Sequence, residues 1–115
     1  MSIPGKSPRN STIHLTIQLD ESNIPDRIQW EASDAGAGIN EAKALLLGLW
    51  DKQQANGVSI DLWTKEMTIP EMNIFFYQTL LSLSDTMARS TQDASLSEMI
   101  RGFADEFLQR VNQKS

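Results

Sequence analysis

"INEAKALLLGLWDK", residues 39–52, decides how this chain divides between helix and strand. Ile39, Ala42, Leu45, Leu46, Leu49 and Trp50 recur at helical intervals, yet residues 44–50 also form a continuous apolar run short enough for a buried strand. Periodicity alone does not separate the two. High helix propensity in "EAKALLL" favours a helix from Asn40 to Lys52, with a strand from Ala44 to Trp50 as the competing reading.

The flanking segments are less ambiguous. In "TIHLTIQL", residues 12–19, Ile13, Leu15, Ile17 and Leu19 alternate with Thr12, His14, Thr16 and Gln18, the pattern of a half-buried strand. After the turn-forming "DESNIP", the stretch "DRIQWEA" alternates again, with Ile28, Trp30 and Ala32 on one side. The two runs should form a hairpin with a loop of about five or six residues. "SDAGAG" reads as a mobile loop. Beyond the polar turn "KQQANG", the stretch "VSIDLW" sets Val58, Ile60 and Leu62 opposite Ser59, Asp61 and Trp63 and predicts a third strand beside the hairpin.

Helical patterning takes over at Thr68. The sequence Thr68-Ile69-Pro70-Glu71 is a capping box: the Thr68 hydroxyl can accept from the Glu71 N–H while the Glu71 carboxylate accepts from the Thr68 N–H. Pro70 falls in the first turn, where no intrahelical donor is lost. Met72, Phe75, Phe76, Leu80, Leu83 and Met87 then predict a helix from Ile69 to near Arg89. A second Ser-x-x-Glu box at Ser95–Glu98 precedes Leu96, Met99, Ile100, Phe103, Phe107 and Val111, a second stripe that can pair antiparallel with the first. The expected fold class is therefore α+β: an antiparallel-rich sheet of about three strands, one face covered by about three helices, the two C-terminal helices packed as a pair. One two-layer domain would span residues 12–112, after a disordered lead over 1–11 and before a short tail at 113–115.

Composition narrows the function. A chain of 115 residues can bury roughly two thirds of its unfolded surface, enough for one core. The sequence has no Cys, which excludes a disulfide framework, thiolate zinc ligation and Cys nucleophiles. The N-terminal "MSIPGKSPRNS" lacks the apolar segment of a signal peptide, and no run approaches the roughly 18 apolar residues of a membrane span. A cytoplasmic location without membrane insertion is the expectation. The net charge of −5 divides into −2 over residues 1–50 (four basic, six acidic) and −3 over 51–115 (six basic, nine acidic). Without a basic cluster, nucleic acid is not an expected partner.

Catalytic signatures are sparse. His14, the only histidine, lies on the polar side of its strand, and one histidine without cysteine builds none of the common transition-metal sites. Asp20 with Glu21, or Asp61 with Glu66, are acidic pairs without the spacing of a known cation loop. "DAGAG" lacks the frame of a dinucleotide-binding turn. The sequence predicts a non-enzymatic protein with no cofactor and no metal.

Aromatic placement points to contact surfaces. Trp30 and Trp50 fall on apolar stripes and are expected in the core, whereas Trp63 points with Ser59 and Asp61. It is either tucked beneath a neighbouring segment or displayed as an interface anchor. Together with Thr64, Lys65 and Glu66 it forms the candidate partner surface, inside the distinctive "DLWTKEM" of residues 61–67.

The succession of "IHLTIQLDESNIPDRIQWEASDAG", "AKALLLGLWD", "IDLWTKEM" and "EMNIFFYQTLLSLSDTMARST" resembles the gliding-motility protein GldC family of Bacteroidetes, from about Ile13 to Phe107. The resemblance implies a cytoplasmic accessory or adaptor protein of the gliding machinery, linked to type IX secretion. It would act through protein components of that machinery, and a homodimer is one form of such contact. The alternative function is binding of a small ligand, or an uncharacterised enzymatic activity, in a pocket between sheet and helices approached past "DAGAG".

Overall fold

A computed structural model describes residues 9–36 and 38–114. Most of the expected disordered lead, residues 1–8, lies outside the described residues, as does Ser115 of the tail. The fold class is α+β: among the described residues, five antiparallel strands are followed by two helices. The chain divides into two compact units, residues 1–67 and 68–115.

In the first unit, β1 (Ile13–Leu19) and β2 (Pro25–Ala32) form the expected hairpin. Ile13 faces Ala32, Leu15 faces Trp30 and Ile17 faces Ile28, so the apolar residues of both strands share one face. The five-residue connection is organised by Asp20. Its Oδ1 accepts from the backbone N–H of Ser22 at 2.8 Å and of Ile24 at 3.0 Å, while Asn23 takes a left-handed conformation. Pro25 opens β2 at its first position, where a missing N–H is tolerated within a sheet.

Two expectations are corrected here. Residues 40–52 are not helical: β3 (Asn40–Ala42) and β4 (Ala44–Asp51) occupy them, which leaves two helices rather than three. The competing strand at 44–50 is the one formed. The third strand of the β1–β2 sheet is β3, pairing with β2 through Ile28–Ala42 and Trp30–Asn40, and not the 58–63 segment. That segment is β5 (Asn56–Trp63), which joins β4 in a separate two-stranded sheet.

The β4–β5 register explains the outcome. Leu45, Leu47 and Leu49 stand directly opposite Leu62, Ile60 and Val58, giving three apolar cross-strand pairs on one face. Ala44, Leu46, Gly48 and Trp50 meet Trp63, Asp61, Ser59 and Gly57 on the other. A helix would have carried Gly48 in its interior at a cost of about 1 kcal/mol, and it would have left the alternating β5 without a partner. Asp51 closes the turn: its Oδ1 accepts from Gln53 and Gln54 N–H at 2.8 and 3.1 Å. Trp50, expected in the core, is instead 72% exposed on this hairpin.

The second unit is a helix pair. α1 (Ile69–Thr91) starts at the predicted capping box, with Thr68 Oγ1 accepting from Glu71 N–H at 3.2 Å and Glu71 Oε1 accepting from Thr68 N–H at 3.0 Å. Gln92, in a left-handed conformation, ends it. α2 (Ala94–Gln113) is capped two residues before the expected Ser95: Asp93 accepts from the Leu96 N–H at 3.1 Å. Phe76 stacks on Phe107 with ring centroids 6.5 Å apart, and Ser84 meets Ser97, so the helices run antiparallel. Small residues set their approach. Ser84 Oγ donates to the Ser97 carbonyl and Ser97 Oγ to the Ser84 carbonyl, each at 2.8 Å, and Ala104 is fully buried.

Candidate functional site

The four residues singled out at the end of β5 do not share one environment. Trp63 closes the strand opposite Ala44 and is 60% exposed, so it is displayed rather than tucked away. Thr64 is buried, at 3%. Its N–H and its hydroxyl both donate to the Lys43 carbonyl, at 2.8 and 3.1 Å, which ties the end of β5 to the β3–β4 corner. A buried hydroxyl bonded in this way belongs to the frame. Met67 N–H then donates to the Thr64 carbonyl at 3.1 Å, folding "TKEM" into a turn.

Lys65 reaches across the unit. Its Nζ lies 2.5 Å from Asp20 Oδ2, so the carboxylate that shapes the β1–β2 turn also anchors the segment after β5. The Lys65 ammonium, reinforced by the N–H groups of Ile24 and Ser22, lowers the Asp20 carboxyl to about 2. The same hydrogen bond and charge raise the Lys65 pKa. Glu66 is exposed and lines a cavity of about 460 Å³.

Ile28, Ala42 and Thr64 contribute to that cavity, together with the charged Asp26, Arg27, Glu41, Lys43 and Glu66. Arg27 Nε donates to Glu41 Oε1 within this group, joining β2 to β3. Three carboxylates and two cations around one opening make a mixed-charge surface, suited to polar contacts with a peptide or a small zwitterion. A second depression, of about 290 Å³, lies beside Gly36 and Gly38 and includes His14 and Glu31. His14 is exposed, as its strand position predicts. Among the described residues no group of three or more His, Cys, Asp or Glu is placed to hold a metal ion, and no helix is long and apolar enough to cross a membrane.

Reading along the chain missed Asp20, Arg27, Glu41 and Lys43 as neighbours of this site. "DESNIP" signals a turn, but nothing local signals that its Asp meets a Lys forty-five positions later.

Antiparallel strands, an anchored strand end displaying Trp63 and a C-terminal helix pair define a small α+β protein. A model of the family described as "Gliding motility-associated protein GldC-like" matches residues 25–113. The chain belongs to this GldC-like, gliding-motility-associated family. The match begins at β2, later than the resemblance read from Ile13, and extends to the end of α2. Comparison with curated proteins and with solved structures finds no match.

Proposed function

We propose that this protein is a non-enzymatic, cytoplasmic accessory of the gliding machinery linked to type IX secretion, acting as an adaptor that binds another protein component. The observation that carries this reading is Trp63, an exposed aromatic on a fixed frame. Its neighbour Thr64 is bonded twice to the Lys43 carbonyl, and Lys65 is held by Asp20. These bonds fix the backbone that presents the ring, which reduces the ordering cost when a Trp there serves as an interface anchor. Lys65 and Glu66 supply the polar rim beside it, continuous with the mixed charges of the cavity. Thr64 contributes by tying the backbone between Trp63 and Lys65 to the Lys43 carbonyl.

The test is in-cell crosslinking and recovery of the tagged protein in its host, parent against the Trp63→Ala, Glu66→Ala variant. Lys65 is left intact in this variant because removing it would also release Asp20. The expected result is recovery of gliding or secretion components with the parent, strongly reduced with the variant, at an unchanged thermal midpoint. Equal recovery by both overturns the assignment of the surface. Recovery of no such component by either overturns the adaptor reading.

The charged cavity supports a second reading, binding of a small polar ligand. Native mass spectrometry of gently purified protein tests it, and a bound species lost on Arg27→Ala would favour it over the first.

A further inference from the structure

The helix pair has two chemically different faces, and their origin is simple geometry. Ser84 and Ala104 lie on the buried line between α1 and α2. Because a helix advances 100° per residue and the two helices run in opposite directions, residues one position before the contact line emerge on the same side of the pair. Those residues are Leu83 on α1 and Leu96 and Phe103 on α2, preceding Ser84, Ser97 and Ala104. Residues one position after the line emerge on the opposite side, where Asp85 pairs with Arg101 at 3.4 Å and Asp105 is exposed. Phe76 and Met99 extend the first face, on which the uncharged Thr79 and Thr86 also fall.

Phe76, Leu83, Leu96, Met99 and Phe103 are between 42 and 69% exposed. Their exposed parts amount to about 500 Å² of apolar surface, at the upper end of the largest patch on an ordinary monomer. We infer that this face is the contact between two copies of the chain, each supplying one helix pair to a four-helix bundle. Two such faces contribute about 1000 Å² from five side chains each, before any rim is counted, which reaches the size of a specific interface. An antiparallel helix hairpin with one bare apolar face is half of a bundle, and a second copy is the partner that supplies the same shape.

Charge favours self-apposition as well. The centre of the face carries no ionisable group, so two copies meet without confronting like charges, while Asp85, Arg101 and Asp105 are held on the far side. Arg110 stands near one end of the pair and Asp93 caps α2 at the other. A two-fold axis lying across the helices sets the Arg110 end of one copy against the Asp93 end of the next, opposite charges together. This inference is independent of the Trp63 surface, which belongs to the other unit.

The test is the molar mass of the full chain in solution by light scattering over a concentration series, for the parent and for Leu83→Lys with Phe103→Lys. The expected masses are about twice the 12.9 kDa of one chain for the parent and 12.9 kDa for the variant. Because the chain has no cysteine, single-cysteine variants provide a second measurement that does not depend on the lysine variant folding. Leu83→Cys should crosslink to a covalent dimer with a short bis-maleimide, and Asp85→Cys on the opposite face should not. A parent that is monomeric at every concentration, a dimer that survives both lysines, or equal crosslinking from the two cysteines overturns the inference.

Discussion

Replacing Ile28 by Ala should cost far more stability than any other apolar truncation in the strands. Ile28 is 1% exposed at the centre of β2, with Ile17 opposite it on β1 and Ala42 on β3. The substitution removes three carbon atoms, worth about 2.4 kcal/mol in transfer free energy. Incomplete collapse of the site adds a cavity term of up to about 2 kcal/mol, so the expected loss lies between about 2.5 and about 4 kcal/mol. In a domain of this size that lowers the thermal midpoint by roughly 10 °C or more. Urea unfolding followed by tryptophan fluorescence and circular dichroism measures it, with Trp50→Ala as the reference. Trp50 is larger but 72% exposed, and its truncation should stay within about 0.5 kcal/mol. A loss below about 1 kcal/mol for Ile28→Ala, or one no greater than that of Trp50→Ala, would refute the placement of the core at β2.

The serine clasp between the helices and the Asp20–Lys65 bridge make two further expectations. Ser84→Ala removes a buried hydroxyl that donates to the Ser97 carbonyl at 2.8 Å and should destabilise by about 1–2 kcal/mol, read by urea titration of helical ellipticity; a neutral result would show that the clasp is dispensable. The folded Asp20 carboxyl titrates at about 2 against 3.8 when unfolded, so its stabilisation is complete above pH 4 and disappears as the pH falls towards 2. Asp20→Asn should therefore reduce the acid sensitivity of the thermal midpoint in that window, and an unchanged acid limb would contradict the bridge. Lys65 has the opposite sign: its raised pKa gives stabilisation present below 10.5 and lost as the pH climbs through the folded value.

What the chain specified locally was readable from its sequence. The alternation of Ile13, Leu15 and Ile17 against His14 and Thr16 needs only the two-residue period of a strand, and Thr68 with Glu71 needs only the geometry of one helical turn. The antiparallel helix pair followed from two stripes and a short linker, and the pieces of sequence that carried the family resemblance, apart from residues 13–24 of the first, lie within residues 25–113, which match the GldC-like family. Even locally there was competition: Asp93 and Ser95 are both good caps, and Asp93 prevailed.

Tertiary structure decided whatever depended on a partner distant in sequence. Residues 44–51 carry a pattern compatible with either helix or strand, and the choice went to strand because Val58, Ile60 and Leu62 offer Leu49, Leu47 and Leu45 matching apolar neighbours. Strand propensity is largely the propensity to pack against such neighbours, which a single segment does not contain. The same reason hid the division of the candidate surface, where Thr64 is withdrawn to the Lys43 carbonyl, Lys65 is held by Asp20, and Trp63 and Glu66 are left displayed.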